Sequence, residues 1–382
     1  MTRNRDIAQI LGLTEAENTT NASLGDGSGG GGSGVTAYSY DSSGGLLLAS
    51  TTDHTDGSLH WLGEVNELYV WDSAATKYYL VENTKTLGLG EVAPTQAQGS
   101  TYGFATGGYA PGGSSNNAIG RFAFANESST TSIGNLTVAR QLGGSNSSST
   151  HGYYIGGYLR PGFSSSNVID KFAMASTGNA TDVGDDTGTY YYRKGGPSDT
   201  HGYHAGGNSP AQSEIVRYSF STDENATDVG DLAQNTSGRG AFTSTTHTYI
   251  CGHGMDRQVE KFAHSTGVTG SSVGDIGNTQ YGVATNDTTA GYFSYMSSSS
   301  NIQKHLFASD ATASTAGTIN SSGGGVNEIA VSSSTTAGYY IGAQTNSYKS
   351  IEKFVWANGG STSDVGDMGG VTGLNEGDGQ QY

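Results

Sequence analysis

The chain has 382 residues, of which 61 are glycine, and only 13% are charged, about half the ~25% usual for soluble domains. The chain has 17 Lys and Arg residues and 34 Asp and Glu residues, which gives a formal net charge of −17. Because this charge repels phosphate, it excludes a nucleic-acid-binding surface. A single cysteine excludes a disulfide framework, no apolar stretch reaches the ~18 residues of a membrane helix, and 23 tyrosines within 34% hydrophobic content exclude a wholly disordered chain.

Residues 1–34 predict an N-terminal anchor peptide joined to a flexible linker. The peptide combines a basic start with apolar residues at the spacing of one helical face, namely Arg3, Arg5, Ile7, Ile10 and Leu11. Seven of the ten residues that end the segment are glycine, so this stretch is expected to be flexible coil. The anchor would dock into a partner and tether the folded part of the chain; the alternative is a frayed tail.

Residues 35–93 predict a small β module. The sequences ELYVW and KYYLV are rich in aromatic and β-branched residues, which favours two short strands, and Asp72 begins the turn between them. The leucine-rich sequence upstream would add another pair of strands. The alternative is that this segment forms a degenerate blade of the repeat in residues 94–382.

Residues 94–382 contain six copies of a unit of about 46 residues. Each copy has a Tyr strand followed by glycine, then an apolar-x-basic-aromatic motif, then a Val-Gly-Asp motif or a relative of it. The basic residues step along the chain by 50, 46, 44, 43 and 49 positions, and the glycines of the third motif step by the same numbers. The two series are Arg121, Lys171, Arg217, Lys261, Lys304 and Lys353, and Gly134, Gly184, Gly230, Gly274, Gly317 and Gly366. A unit of this size holds four short strands, as a propeller blade does.

The repeat resembles that of kelch-type propellers. Double glycines at 107–108, 156–157 and 206–207 match the kelch pattern, whereas Val-Gly-Asp stands where that family has Trp. The resemblance implies an all-β chain with a kelch-like β-propeller of six blades, or seven if residues 35–93 contribute one. A tail strand near residues 371–374 would close the ring by completing the first blade, unless residues 91–97 fill that place or the tail pairs elsewhere.

The front of the chain resembles virion structural and tail-fibre proteins of marine, cyanophage-like bacteriophages. The resemblance lies in MTRNRDIAQILGLTE, the Gly-rich linker, and ELYVWDS followed by KYYLVENT. It implies a protein of the phage tail, neck or capsid surface that is made in the host cytoplasm, contacts other virion proteins through its N-terminus and forms a homo-oligomer on the particle.

Four repeats place an Asp 14 residues after the basic residue, and we predict that each Asp forms a structural charge pair with it. The four predicted pairs are Lys171 with Asp185, Arg217 with Asp231, Lys261 with Asp275, and Lys353 with Asp367. The Asp-Val-Gly-Asp turns also carry oxygen ligands of the kind that Ca²⁺ prefers. We favour the alternative that each turn Asp hydrogen-bonds its own backbone, and we expect no metal site and no cofactor.

The variable loops after the glycines are the best binding candidates, because such loops project together from one end of a propeller. They are rich in Tyr, Ser, Gly and Asn, which is the composition of adaptable recognition loops. Their larger side chains are Tyr109, Tyr158, Arg160, Phe163 and Tyr348. The alternatives are loops that only solubilise the protein or that contact neighbouring virion subunits.

Together these features favour a phage virion protein that is anchored by its N-terminus and displays a propeller for adhesion to host-surface glycans. One alternative is a capsid decoration protein without a receptor role, and another is a carbohydrate-active enzyme on a propeller scaffold. We expect no enzyme activity, because no Ser-His-Asp order, nucleotide loop or catalytic carboxylate pair stands out.

Overall fold

The structure is a computed structural model. It describes residues 99–110, 113–208, 210–237, 240–251, 257–276, 282–295, 301–320, 329–342, 350–369 and 378–381, together with five strands before residue 81. Contacts divide the chain into two units, Met1–Ala93 and Pro94–Tyr382. The anchor segment predicted for residues 1–34 lies outside the described residues.

The first unit contains one five-stranded sheet, in the order β1-β2-β5-β4-β3. Its strands are β1 (Tyr38–Tyr40), β2 (Leu46–Leu48), β3 (Leu59–Leu62), β4 (Glu67–Asp72) and β5 (Lys77–Leu80). Strands β4 and β5 pair antiparallel, with Trp71 opposite Tyr78, as their aromatic and β-branched residues predict. The leucine-rich sequence upstream supplies β2, which pairs with both β1 and β5.

The second unit is a six-bladed β-propeller, which confirms the fold predicted from the repeat. Each blade is a four-stranded antiparallel sheet with an inner, a second, a third and an outer strand. Blade 1 has β35 (Asp378–Gln381), β6 (Tyr102–Thr106), β9 (Ala118–Ala123) and β10 (Thr131–Asn135). Blade 2 has β11 (Gly144–Ser147), β12 (His151–Ile155), β15 (Val168–Ala173) and β16 (Thr181–Asp185), and blade 3 has β17 (Lys194–Pro197), β18 (His201–Ala205), β19 (Gln212–Ser219) and β20 (Thr227–Thr236).

The remaining three blades repeat this arrangement. Blade 4 has β21 (Gly240–Thr243), β22 (His247–Cys251), β23 (Gln258–Ala263) and β25 (Ser271–Asp275). Blade 5 has β26 (Gly282–Asn286), β27 (Ala290–Tyr295), β28 (Asn301–Leu306) and β29 (Ser314–Thr318), and blade 6 has β30 (Ala330–Ser333), β31 (Ala337–Ile341), β32 (Ser350–Val355) and β34 (Ser363–Asp367). Two short strands, β24 (Val268–Thr269) and β33 (Gly360–Ser361), pair in parallel with the outer strand of the preceding blade.

The C-terminal strand closes the ring. Strand β35 pairs antiparallel with β6, from Asp378 opposite Thr106 to Gln381 opposite Gly103, so blade 1 is built from both ends of the propeller sequence. The six inner strands contact their neighbours all the way round, and β35 touches both β11 and β30. The tail therefore completes the first blade, although the strand lies at 378–381; residues 371–374 and 91–97 lie outside the described residues. The five-stranded sheet of the first unit is not a seventh blade.

Aromatic contacts between adjacent blades explain the Tyr motif. The aromatic residue of the second strand packs against an aromatic residue that lies in the third strand of the next blade or directly after it, and such pairs contribute about 0.5–1.5 kcal/mol beyond their area burial. Centroids lie 4.6–6.2 Å apart in the pairs Phe104–Phe172, Tyr153–Phe220, Tyr203–Phe262, Tyr249–Phe307, Tyr292–Trp356 and Tyr339–Phe124. The last pair crosses the seam between blade 6 and blade 1, so the same packing joins every neighbouring pair of blades.

The Val-Gly-Asp motif joins the outer strands of neighbouring blades. In each case an amide of one blade donates to the carbonyl of the motif's last residue in the blade before it, over 2.7–2.9 Å. The six bonds run from Ala180 to Asn135, Ala226 to Asp185, Gly270 to Asp231, Ala313 to Asp275, Thr362 to Thr318 and Thr130 to Asp367. The motif glycine makes room for this approach: a Cβ on Gly134 would overlap the carbonyl oxygen of Gly178.

Candidate ligand-binding site

In blades 2 and 3 the loop between the second and third strands lies beside the connector that leads in from the preceding blade. In blade 2, Gln141 of the incoming connector forms an antiparallel bridge with Tyr158 of the loop, and in blade 3 Tyr191 forms the equivalent bridge with Asn208. We call this end of the propeller the loop face. In blades 1 to 3 the double glycines turn the chain into the loop with positive φ, as at Gly156 (φ 63°) and Gly157 (φ 107°).

Two of the predicted loops form small hairpins that are bonded to each other. Strand β7 (Tyr109–Ala110) pairs with β8 (Ser114–Ser115) in blade 1, and β13 (Tyr158–Leu159) pairs with β14 (Ser164–Ser165) in blade 2. The Ser115 amide donates to the Arg160 carbonyl at 3.1 Å, and the Arg160 amide donates to the Ser115 hydroxyl at 2.8 Å. The backbone at Arg160 is therefore held on both sides by the neighbouring blade.

Four of the five predicted loop residues form one cluster, in which three aromatic rings surround Arg160. Its guanidinium carbon lies 5.2 Å from the ring centroid of Tyr109, 5.8 Å from that of Tyr158 and 6.0 Å from that of Phe163. These distances are within the range of cation–π attraction. We call Tyr109, Tyr158, Arg160 and Phe163 the loop-face cluster. The fifth predicted residue, Tyr348, lies outside the described residues.

The cation of the cluster has no acidic partner among the described residues. No ion pair or side-chain hydrogen bond of Arg160 is formed within this part of the chain, and its Nε is buried without an acceptor. A buried N–H without a partner is costly, and an arginine normally finds a carboxylate or several carbonyl oxygens. The cluster therefore presents an unused positive charge within a chain of net charge −17.

Phe163 stands at the tip of the blade 2 loop and is 69% exposed. Among the described residues only one other large hydrophobic side chain, Leu306, is exposed. Phe163 has a φ of 50°, which a bulky side chain adopts at a cost, and its ring meets that of Tyr158 edge to face at 6.5 Å. Most of the Phe163 side chain is therefore accessible to a ligand.

Two further tyrosines that the sequence reasoning missed extend the cluster toward blade 3. The Tyr191 ring lies 5.0 Å from that of Tyr158, and the Tyr192 ring lies 5.2 Å from that of Tyr191. They belong to the connector sequence TYYYRK, and its run of three tyrosines outside the repeat motifs was the available signal.

Buried ion pairs fasten the connectors beneath the loop face. Arg140 and Asp170 are both fully buried and bond at 2.7 Å. Arg193 bonds Asp186 at 3.2 Å and also bonds Glu214, so it joins blade 2 to blade 3. Burial raises the pKa of Asp186 to about 6, and Arg193 opposes that rise. None of these residues was predicted, because their pairing depends on contacts between distant segments.

The predicted charge pairs have the wrong partners. Lys171 bonds Asp223 of blade 3 at 2.8 Å instead of Asp185, because the strand register places Asp185 opposite Val168, three residues from Lys171. Lys261 bonds Asp310 and Lys353 bonds Glu127, instead of Asp275 and Asp367. Arg217 lies opposite Thr227, and its predicted partner Asp231 accepts a hydrogen bond from Ser213. In each of the three ion pairs that do form, the lysine bonds an acid in a loop of the next blade.

The aspartates of the repeat turns bond their own backbone. Asp182, Asp228 and Asp364 each accept a hydrogen bond from the amide two residues ahead, over 3.0–3.2 Å. Among the described residues no group of three or more His, Cys, Asp or Glu side chains is placed to hold a metal ion. The same residues contain no helix that is long and apolar enough to cross a membrane.

A small cavity lies on the propeller axis. It has a volume of about 90 Å³ and is lined by residues of the inner strands, including Asn146, Thr243 and Thr285. Saccharide and cofactor pockets usually enclose about 300–1,000 Å³, so this cavity suits water better than a sugar ring. The loop-face cluster is therefore the stronger candidate for recognising a ligand.

The cluster can recognise a ligand that offers both an apolar face and hydrogen-bond acceptors. Its aromatic rings supply rigid contact area at low entropic cost, and Arg160 supplies donors in a planar fork.

No protein-family description matches the chain, and no curated protein is significantly similar to it.

Proposed function

We propose that this chain is a structural protein of a bacteriophage virion, held on the particle by its N-terminus, whose propeller binds a surface glycan of the host through the loop face. The observation that carries the binding role is the loop-face cluster, in which an exposed Phe163 lies beside Arg160, a cation that meets no acid within the described residues. The virion role rests on the resemblance of the N-terminal sequence and on the order of anchor peptide, linker and folded body.

A sugar ring is a natural partner for such a cluster. Its axial C–H bonds pack on aromatic rings, and its hydroxyl groups accept hydrogen bonds from a guanidinium. The hairpins that carry Tyr109 and Arg160 are bonded to each other through Ser115, so little order has to be created on binding. Several copies on one particle would raise the avidity of a weak single site by a factor of about 10²–10⁴.

The binding role is tested with the full chain on an array of bacterial surface polysaccharides. Phe163→Ser is the test variant, and Leu306→Ser is the matched control, because it removes the other exposed large hydrophobic side chain, at the end of the third strand of blade 5. We expect Phe163→Ser to lose about tenfold or more in affinity, since a buried aromatic contact contributes about 1–3 kcal/mol. Equal binding by both variants would refute the assignment of the loop face.

The anchoring role is tested separately by deleting residues 1–34. The shortened chain should keep the circular dichroism and melting of the propeller but should fail to join particles. Normal incorporation of the shortened chain would contradict the anchor. Release of reducing sugar from a bound polysaccharide would contradict a purely adhesive role and favour a carbohydrate-active enzyme.

A further inference from the structure

We infer that the loop-face cluster recognises the carboxylate of an acidic saccharide, a uronic acid unit within a polysaccharide, with Arg160 as the carboxylate-binding residue. This inference rests on the proposed function, because it takes the loop face to be the glycan-binding surface. It names the chemical class of the ligand, which that proposal leaves open between neutral and acidic sugars.

Arg160 differs from the other described cations by its surroundings, because its guanidinium lies near three aromatic rings of the loop face. The chain has only 17 Lys and Arg residues, and five of the described ones bond acids within or between blades. These are Arg140 with Asp170, Lys171 with Asp223, Arg193 with Asp186 and Glu214, Lys261 with Asp310, and Lys353 with Glu127. Arg160 forms no such pair within the described residues, although it stands in an acidic protein. Arg121, Arg217, Arg257 and Lys304 also form no ion pair within the described residues, so the lack of an acid alone does not mark a site. Arg160 combines it with a place on the loop face beside three aromatic rings, which suits an anion from outside.

The surroundings of Arg160 match a carboxylate that is attached to a ring. The guanidinium carbon lies 5.2 Å from the ring centroid of Tyr109 in blade 1 and 5.8 Å from that of Tyr158 in blade 2. The planar fork of a guanidinium fits a carboxylate through two parallel hydrogen bonds. Phe163, 69% exposed and next to the guanidinium, offers the surface on which the sugar ring of the same unit would pack.

The charge of the whole protein argues against a long or dense polyanion as the ligand. A net charge of −17 repels phosphate and sulfate chains at long range, whereas a single carboxylate needs only one local cation. Screening lengths of about 8–10 Å at physiological salt weaken that repulsion but leave a short-range contact with Arg160 in place. A uronic acid unit is therefore a better fit than a nucleic acid or a heavily sulfated glycan.

The test compares acidic trisaccharides with their carboxyl-reduced, neutral counterparts. The probes are trisaccharides in which one galacturonate, glucuronate or mannuronate unit lies between two neutral sugars, and the neutral trisaccharides made from each by carboxyl reduction, titrated into the full chain by calorimetry. We expect at least one acidic trimer to bind about tenfold or more tightly than its neutral counterpart, the factor typical of a charge-assisted hydrogen-bond pair. Arg160→Gln should bring the ratio close to one, Arg160→Lys should retain part of it, and Phe163→Ser should weaken both members of the pair.

The outcomes separate this inference from the proposed function. If Phe163→Ser weakens binding but wild type prefers no acidic trimer, or if Arg160→Gln keeps the preference, the inference is wrong and a neutral glycan role stands. If no saccharide binds on the array or in the titrations, the proposed function itself is wrong. Melting curves of Arg160→Gln and of the control Leu306→Ser show whether a loss of binding comes from a loss of folding.

Discussion

Replacing Asp170 with valine should remove one half of a fully buried ion pair and strongly destabilise the propeller. Asp170 accepts hydrogen bonds from Arg140 at 2.7 Å, from the Thr137 hydroxyl at 2.7 Å and from the Thr137 amide at 3.1 Å. Valine is tolerated at this position of the repeat, because Val216 lies opposite His204 in blade 3 as Asp170 lies opposite Tyr154 in blade 2. Any loss of stability therefore comes from the unpaired Arg140 charge and from the hydrogen bonds that Thr137 loses, and not from the shape of the new side chain.

The expected loss is about 3–5 kcal/mol, which is the usual cost of leaving a buried charge without its partner. Both side chains are 0% exposed, so water cannot replace the carboxylate. Arg140 keeps three hydrogen bonds, to the Ser166 hydroxyl and to the carbonyls of Val168 and Tyr154, but these oxygens carry no full charge. Replacing both partners, as Arg140→Met with Asp170→Val, should recover most of the loss, because apolar residues of similar volume often match a buried ion pair.

The assay is urea unfolding followed by circular dichroism and by tyrosine fluorescence, with the free energy taken from the midpoint and slope. The matched control is Asp223→Asn, which removes the carboxylate of the half-exposed pair with Lys171 and should cost less than about 1 kcal/mol. The reasoning fails if Asp170→Val costs no more than this control. It also fails if the double variant is as unstable as the single one, since the coupling between the two sites would then be absent.

Three further perturbations address contacts between blades and at the seam. Gly134→Ala should cost about 1–3 kcal/mol, because its methyl group would overlap the carbonyl oxygen of Gly178; Gly178→Ala, whose Cβ would meet nothing within 4 Å, is the control, and equal melting temperatures would contradict the prediction. Deleting residues 378–382 should speed amide exchange in strand β6, because that strand loses its ladder partner; unchanged exchange would show that β35 does not close the ring. The stability of the wild type should fall more than that of Asp186→Asn between about pH 4 and pH 6. The raised pKa of Asp186 means that the folded state holds this proton more tightly than the unfolded state, so its contribution is present below pH 4 and is lost as pH rises through 6. Identical pH profiles of the two proteins, measured by urea unfolding, would exclude this effect.

The six-bladed ring could be predicted because each repeat carries markers for three of its four strands. The Tyr motif forms the second strand, the basic motif the third and the Val-Gly-Asp motif the outer one. The inner strand has no marker of its own, since it is made of small residues such as those of Gly144–Ser147. For the same reason the closing strand was predicted a few residues too early, before its observed position at 378–381.

The candidate site could be predicted in part. Residue type and loop position were enough to select Tyr109, Tyr158, Arg160 and Phe163, because large side chains in variable loops of a propeller share one end. That they meet around Arg160 depends on a hydrogen bond between hairpins of two blades, 45 residues apart in sequence. No spacing rule within one repeat contains that information.

The charge pairs show where reasoning from spacing fails. A constant interval of 14 residues between Lys171 and Asp185 suggested contact, but the register of the strand pair places Asp185 opposite Val168, three residues from Lys171. The interval is constant because both residues belong to the same repeat. Their roles differ: Lys171 reaches Asp223 of the next blade, and the carbonyl of Asp185 accepts a bond from Ala226.

The sequence by itself determined the blade as a repeating unit, and its high glycine content is part of that repeat. It did not determine how the blades contact one another. Periodic glycines and tyrosines specify a blade, and six blades follow from six copies, because strand alternation and turn chemistry are local properties. The tertiary structure decided which blades touch, which acids Lys171, Lys261 and Lys353 meet, and that Arg160 lies among aromatic rings without an acid from the described part of the chain. These are contacts between segments far apart in the chain, and only closure of the ring brings them together.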